Sequence, residues 1–170
     1  RAAWTGETEI LKVDQAVRTA LGVPHRGGAM VQPWAREKKA ELKSVSLELL
    51  YTFDVRTLPT TELALALEHP ERFRIAVNGQ ALSPDDASGW WTDLSLRRLS
   101  FEPGLLKPGR NEIRLACDYT EEHGLEIISL LGDFGVAVKG TAAALIAPSR
   151  TLRVVDWTRQ GLPFYSGNVA

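Results

Sequence analysis

The sequence predicts an all-β protein, an antiparallel β-sandwich or jelly roll of about eight or nine strands with a short N-terminal helix and lead-in loop. From residue 45 onward, apolar and polar residues alternate with the period of two that is typical of half-buried strands. Turn residues separate these runs at spacings of roughly 10 to 15 residues. No helical pattern lies between the runs, which excludes a fold of alternating strands and helices around a parallel sheet.

The candidate strands either alternate in this way or are continuously apolar. They comprise residues 45–53, 63–67, 73–77, 80–82, 94–101, 113–119, 125–131, 134–138, 144–146 and 152–155. Asn78-Gly79 is the strongest hairpin signal, because both residues tolerate a positive φ. In the run 94–101 the alternation slips between Leu96 and Leu99, which predicts a β-bulge there. The mostly apolar run 125–131 predicts a central strand.

The sequence predicts a helix and a lead-in loop for residues 1–44. We expect them to pack on a sandwich formed by residues 45–170. Asp14 is predicted as the N-cap of the helix and Gly22 as its C-terminal cap, since Pro24 follows. The apolar face of this helix would carry Ala16, Val17, Ala20 and Leu21. No repeat, low-complexity segment or linker divides residues 45–170, so we expect a single sandwich there.

Composition and charge narrow the range of partners. The chain is 44% hydrophobic and 24% charged, which excludes a disordered tail and a collagen-like fibre. Twenty Lys and Arg residues against 21 Asp and Glu residues give a net charge of −1. Without a global positive field, we expect neither a nucleic acid nor a membrane as partner.

The single cysteine, Cys117, excludes an internal disulfide bond and a zinc site built on cysteines. One cysteine suits both the cytoplasm and secretion, so the localisation stays open between them. The sequence begins with neither an initiator Met nor the apolar core of a signal peptide. We therefore expect this sequence to be a piece of a longer protein.

Common catalytic motifs are missing from the sequence. It has no phosphate-binding glycine loop, no His-Glu-x-x-His pattern and no Gly-x-Ser-x-Gly turn. His123 lies among acidic residues that could bind a metal with it or raise its pKa, although a solvated acidic loop explains the same pattern. Paired carboxylates could hydrolyse a glycosidic bond. The candidates, none distinguished by its spacing, are Asp85, Asp86, Asp93, Asp118, Glu121, Glu122, Asp133 and Asp156.

Two segments, 89–93 and 156–165, combine aromatic rings with polar side chains. Aromatic faces stack on the apolar faces of sugar rings while neighbouring polar groups bind the hydroxyls. Adjacent Trp90 and Trp91 in an extended segment point to opposite faces, so one of them needs a cover or a ligand. Packing under loops or against another domain would also explain these rings. The candidate carbohydrate-binding residues are Trp91, Asp93, Trp157 and Tyr165.

Three motifs, in this order, resemble the galactose-binding-like jelly roll that serves as the sugar-binding domain of family 2 glycoside hydrolases and their relatives. They are Val77-Asn78-Gly79, the segment 89–93, and the turn and strand of residues 105–113. The resemblance covers residues 45–120. Segments 26–34, 131–135 and 156–167 are similar to those of a group of large bacterial proteins predicted to be glycoside hydrolases.

The resemblance implies a non-catalytic module that binds saccharide or shapes the substrate cleft of a larger glycoside hydrolase, in the bacterial cytoplasm or secreted. The family's catalytic carboxylates belong to a barrel of about 250 residues, which 170 residues cannot contain, so no catalytic residue is carried over. The implied partners are saccharide and neighbouring domains of the parent chain. A structural Ca²⁺ is a candidate, because Asp and Glu supply oxygen ligands. A purely structural module between domains and a small self-contained glycosidase remain as alternatives.

Overall fold

The computed structural model describes residues 6–27 and 42–166, and it confirms the all-β class. The described residues form one α-helix and ten strands, against the eight or nine strands expected. The strands build two sheets, and the protein is a β-sandwich. The chain divides into two compact units, Arg1–Leu47 with Cys117–Ile127 and Glu48–Ala116 with Ile128–Ala170. No pattern in the sequence marks residues 117–127 as belonging with the N-terminal segment.

The strand order places four strands at the sheet edges. In chain order the strands are β1 (Ser44–Val55), β2 (Leu63–Glu68), β3 (Arg74–Val77), β4 (Gln80–Leu82), β5 (Trp90–Trp91), β6 (Asp93–Phe101), β7 (Gly109–Thr120), β8 (Ser129–Leu131), β9 (Gly135–Lys139) and β10 (Ala142–Ile146). The six-stranded sheet has the order β4-β3-β7-β1-β10-β9, and the four-stranded sheet has the order β5-β6-β2-β8. Short links from β4 to β5 and from β8 to β9 therefore join the sheets at their edges.

The six-stranded sheet is mixed, so the expectation of a purely antiparallel sandwich is wrong. β1 and β10 pair in parallel, with Asp54 opposite Ala144 and Val55 opposite Leu145. A hairpin forces its two strands to be antiparallel, as in β3–β4 and β9–β10. About half of the chain lies between β1 and β10, so no such local constraint acts on them. Alternation alone carries no information on strand direction.

The helix α1 (Ile10–Leu21) begins earlier than the sequence predicts. The Glu9 carboxylate caps it by accepting a hydrogen bond from the Leu11 N–H at 3.0 Å, so the assignment of Asp14 as N-cap is wrong. Asp14 lies in the second turn and is buried, and Arg18 follows one turn later on the same face. Gly22 ends the helix with φ 65°, as predicted.

Strict alternation in the sequence corresponds to alternating burial in β7. The side chains of Ile113, Leu115, Cys117 and Tyr119 are all buried, and the residues between them are less so. The predicted hairpin is also confirmed. Asn78 and Gly79 adopt φ values of 49° and 84° between β3 and β4, which is the backbone that a two-residue turn of the mirror-image type requires.

Three other strand predictions are wrong in position or kind. β6 pairs with β2 without interruption from Leu96 to Phe101, and the irregularity lies between Trp90 and Trp91 instead. Leu96 lies on the opposite face of β6 from Leu99, which produces the apparent slip. In the run 125–131 only Ser129–Leu131 is a strand, and it is an edge strand rather than a central one. Residues 152–155 form no strand.

Candidate functional site

The C-terminal segment, residues 147–166, follows β10 and is attached to the edge strand β9. The Val136 N–H donates to the Gly161 carbonyl at 2.8 Å, in the way that a further strand would. Gly161 has φ 88°, which favours glycine. A Cβ on Gly135 would lie 2.8 Å from the Ala147 carbonyl oxygen, so only glycine permits this approach. The segment thus covers an otherwise open sheet edge.

Gln160 holds the C-terminal segment together through its side-chain amide. Its Oε1 accepts from the Arg153 N–H at 2.8 Å, and its Nε2 donates to the carbonyls of Arg153 at 3.1 Å and Asp156 at 3.3 Å. Asp156 caps the 3₁₀ turn Trp157–Arg159, with Oδ1 accepting from the Thr158 N–H at 3.0 Å. The hydrogen bond from the Thr158 hydroxyl lowers the pKa of Asp156, so its carboxylate is charged at neutral pH. The loop therefore has a defined shape without regular secondary structure.

Trp157 and Tyr165, two of the four predicted binding residues, are in contact in this segment. Their ring centroids lie 5.3 Å apart with an interplanar angle of 64°, an edge-to-face arrangement. The Trp157 indole N–H donates to the Arg153 carbonyl at 2.6 Å, which ties the ring to the loop. Tyr165 is 39% exposed, and neighbouring Phe164 is 76% exposed. The pair presents aromatic surface to solvent.

An open depression of about 480 Å³ lies in the same segment. Its lining residues are Arg153, Val155, Asp156, Arg159 and Gln160. The Arg159 Nε lies 3.3 Å from the Asp156 Oδ2, which neutralises one of the two arginines. Within residues 6–27 and 42–166, the Arg153 guanidinium makes no hydrogen bond or ion pair. The depression therefore combines a carboxylate, a guanidinium paired with it and a second guanidinium that has no partner among these residues. The Trp157 ring is bonded to the backbone of one lining residue, Arg153.

The other two predicted residues, Trp91 and Asp93, are paired between β5 and β6. The register shift of these strands lies next to this pair, between Trp90 and Trp91. The Asp93 Oδ1 accepts from the Ser95 N–H at 2.8 Å, and this hydrogen bond lowers the pKa of Asp93. Between them Thr92 has φ 42°, a strained conformation for a β-branched residue. Trp90 is 55% exposed and Leu94 is 73% exposed. Trp90, Trp91 and Leu94 are thus three exposed apolar residues within five positions, here called the β5–β6 tip.

The structure brings the four predicted residues together as two pairs and not as one site. β5 is an edge strand of its sheet and is linked to β4, the edge strand of the other sheet. The C-terminal segment is bonded to β9, which is the edge strand opposite β4 in the six-stranded sheet. Strand order thus assigns Trp91 and Asp93 to one edge of the sandwich, and Trp157 and Tyr165 to the other.

Two motifs that carry the family resemblance meet through their asparagines. The Asn78 Nδ2 donates to the Asn111 Oδ1 and to the Leu105 carbonyl, each at 2.7 Å. The buried Asn111 also bonds the backbone of Lys107 and Gly109, which closes its own turn. The amide groups of both asparagines are thus engaged in hydrogen bonds within the fold, as buried amides usually are. The motifs therefore describe a corner of the fold rather than a binding site.

A buried charged group that the sequence did not reveal lies in the first unit. We call it the Asp14 cluster: Asp14, which is 2% exposed, with Arg18, Arg26, Tyr119 and the Leu125 N–H. Asp14 accepts from the Nε atoms of both arginines at 3.0 Å, from the Tyr119 hydroxyl at 2.8 Å and from Leu125 at 3.1 Å. The spacing of Asp14 and Arg18 by four residues was the one available signal.

The remaining bonds of the Asp14 cluster fold the turn that contains His123. Arg18 also donates to the carbonyls of Pro24, Glu121 and His123, and Arg26 pairs with Glu126. The His123 Nδ1 accepts from the Thr120 N–H at 3.0 Å, so the ring closes its own turn. Every carboxylate oxygen of Asp14 is used in these contacts. The cluster is built for stability rather than for binding.

Residues 6–27 and 42–166 hold no cluster of metal-ligating side chains and no membrane-spanning helix. They contain no group of three or more His, Cys, Asp or Glu residues that could hold a metal ion, so nothing in them supports the candidate Ca²⁺. In the same ranges, no helix is both long and apolar enough to cross a bilayer. The chain matches no family model, no curated protein and no solved structure.

Proposed function

We propose that this chain is a non-catalytic β-sandwich module that binds saccharide at its C-terminal segment, as part of a larger carbohydrate-active protein. The observation that carries the proposal is the Trp157–Tyr165 pair, whose indole N–H is bonded to Arg153, a residue that lines a depression together with other charged and amide side chains. Sugar sites need this combination, because ring faces contact C–H groups while polar side chains bind hydroxyls. A depression of about 480 Å³ lies within the range of small-ligand sites.

The proposed fold relationship is to the galactose-binding-like jelly roll. Two features support it: a sandwich of two sheets, and the contact between Asn78 and Asn111, which gives the two turn motifs a shared physical role. The parallel pairing of β1 with β10 departs from the purely antiparallel sandwich that the sequence predicts. The support for the proposed relationship is therefore limited to the two-sheet architecture and to the turns joined by Asn78 and Asn111.

The test is a titration of the whole chain against a broad glycan panel, by calorimetry or by NMR. Tyr165→Ala removes half of the aromatic pair and no hydrogen bond of its side chain to the described residues. We expect affinity to fall about fivefold, since aromatic contacts of this kind contribute on the order of 1 kcal/mol. Phe164→Ala is the matched control, because Phe164 is also exposed but lies outside the pair.

Thermal unfolding of both variants should match that of the wild type, which separates binding from folding. A panel in which no glycan binds would remove the proposed function. So would a glycan whose affinity is unchanged by Tyr165→Ala.

A second candidate function, a structural module between domains, is favoured by the β5–β6 tip. Trp90 and Leu94 are strongly exposed there, and large exposed apolar groups mark surfaces that another protein covers. In the longer protein, hydroxyl-radical labelling should be weaker at Trp90 and Leu94 than it is in this chain alone. Equal labelling in both would reject the candidate.

A further inference from the structure

We infer that the saccharide bound in the depression is anionic, and that the Arg153 guanidinium binds its carboxylate. This inference rests on the proposed function and narrows it to sugars that carry an acid group, such as uronic acids. It depends on which polar atoms around the depression are already used by the protein and which remain for a ligand.

Most of the polar groups at the depression are used by the loop itself. Both ends of the Gln160 amide bond the backbone of Arg153 and Asp156. The Asp156 Oδ1 accepts from the N–H and the hydroxyl of Thr158, and its Oδ2 faces the Arg159 Nε. These groups fix the shape of the depression and leave few acceptors for sugar hydroxyls, so hydroxyls would bind mainly to the arginine donors.

The hydrogen-bonding groups that remain unused around the depression are mainly donors. The whole Arg153 guanidinium is free of partners among the described residues, and Arg159 uses only its Nε there. Two arginines and one aspartate line the depression, which leaves one excess positive charge in a chain whose net charge is −1. A neutral sugar would leave this charge uncompensated, whereas a carboxylate would pair with it.

The position of Arg153 is fixed although its side chain is exposed. Its N–H is bonded to Gln160, and its carbonyl accepts from both Gln160 and the Trp157 indole. The guanidinium therefore projects from a backbone whose N–H and carbonyl are both held, the carbonyl in part by the Trp157 ring. A planar guanidinium binds a carboxylate through two parallel hydrogen bonds, and a fixed backbone reduces the entropy cost of that arrangement.

The experiment compares acidic sugars with their neutral counterparts on the whole chain. The probes are oligogalacturonate and an oligosaccharide that contains glucuronate, each paired with its methyl ester, which keeps the ring and removes the charge. We expect each acid to bind at least about tenfold more tightly than its ester, as for hydrogen bonds to charged groups. The advantage of the acid should shrink as salt is raised from about 50 to 500 mM, because salt screens exposed charges.

Arg153→Gln is the informative variant, and Arg150→Gln is its matched control. Arg150 lies three residues away, pairs with Asp133 at 3.6 Å and does not line the depression. We expect Arg153→Gln to abolish the tenfold preference for the acids and Arg150→Gln to keep it. Free acetate and sulfate, added as competitors, should displace the acids only at far higher concentration, because they lack the ring.

Each outcome separates this inference from the function on which it rests. If neutral glycans bind and neither acid is preferred to its ester, the anionic inference fails while saccharide binding stands. If acetate competes as well as the uronates, the depression binds simple anions and the saccharide part fails. If no acid, ester or neutral glycan binds, both proposals fail. A preference that survives Arg153→Gln would assign the carboxylate to another residue.

Discussion

Two groups of arginine and aspartate residues in this chain have opposite uses. In the Asp14 cluster, the buried Asp14 carboxylate is surrounded by four hydrogen bonds from two arginines, a tyrosine hydroxyl and a backbone N–H. At the C-terminal depression, the Asp156 carboxylate accepts from its own turn and faces Arg159, and the Arg153 guanidinium has no partner within residues 6–27 and 42–166. Burial explains the difference, because an unpaired charge is costly away from water and cheap in contact with it.

The difference between the Asp14 cluster and the depression also indicates which polar residues can bind a ligand. Residues of the same type stabilise the fold where every polar atom is paired, and they can bind a ligand where donors remain. We therefore expect substitutions in the Asp14 cluster to destabilise the fold and substitutions at the depression to leave its stability nearly unchanged.

The largest effect should come from Asp14→Asn, which keeps the shape of the side chain and removes its charge. Arg18 and Arg26 would lose their common anionic partner in a buried setting. We expect the free energy of unfolding to fall by about 3–5 kcal/mol, measured by urea denaturation. Asp156→Asn, which breaks an exposed pair with Arg159, should leave the urea midpoint nearly unchanged, because water screens that pair. Similar costs for the two variants would contradict the comparison.

Acid should destabilise the wild type through Asp14. Burial raises the pKa of Asp14, but hydrogen bonds from Tyr119 and Leu125 and the charges of Arg26 and Arg18 lower it below 3.8 overall. A carboxylate with a lowered folded pKa stabilises the fold above its unfolded pKa, and this contribution disappears as the pH falls through the folded value.

Stability should therefore be lost below pH 3.8, and more steeply in the wild type than in Asp14→Asn. Urea midpoints between about pH 6 and pH 2 give the two profiles. Parallel profiles would show that Asp14 does not control the loss.

Tyrosine hydroxyls provide an intermediate effect with an internal control. The Tyr119 hydroxyl donates to the Asp14 carboxylate, so Tyr119→Phe should cost about 1.5–3 kcal/mol. Among the described residues, the buried Tyr51 hydroxyl has no partner, and burial raises the pKa of Tyr51 to about 12. Tyr51→Phe should therefore be neutral or stabilising, because it removes an unsatisfied polar group. Equal losses of thermal stability in both variants would reject the assignment.

The smallest effect should come from Arg153→Gln in the absence of ligand. An exposed side chain without a partner contributes little to folding, so we expect a change within about 0.5 kcal/mol. The measurement is the urea midpoint of the free protein. A larger loss would mean that Arg153 supports the loop, and the depression would then resemble the Asp14 cluster.

Features of the fold that depend on neighbouring residues could be predicted from the sequence. The Asn78-Gly79 hairpin, the Gly22 cap and the buried face of β7 follow from backbone preferences and from alternation over a few positions. Features that depend on distant partners could not. Apolar content at residues 125–131 predicts burial, but it does not distinguish an edge strand from a central one.

The candidate site shows the same division. Aromatic residues amid polar ones drew attention to Trp91, Asp93, Trp157 and Tyr165, and the structure joins the last two in one ring contact. Their separation into two pairs follows from strand order, which no local pattern encodes. The role of Arg153 was equally hidden, since a sequence does not state which arginine lacks a partner.

By itself, the sequence determined the all-β class, the main hairpin and the segments rich in aromatic residues, because these depend on local conformation and periodicity. Only the tertiary structure decided that Asp14 is a buried anchor and not a helix cap, since its partner Tyr119 lies 105 residues away. It likewise decided the parallel pairing of β1 with β10 and left the Arg153 guanidinium without a partner in the part of the chain that the structure describes. The physical reason is that pairing and desolvation depend on which distant groups fill the space around a side chain.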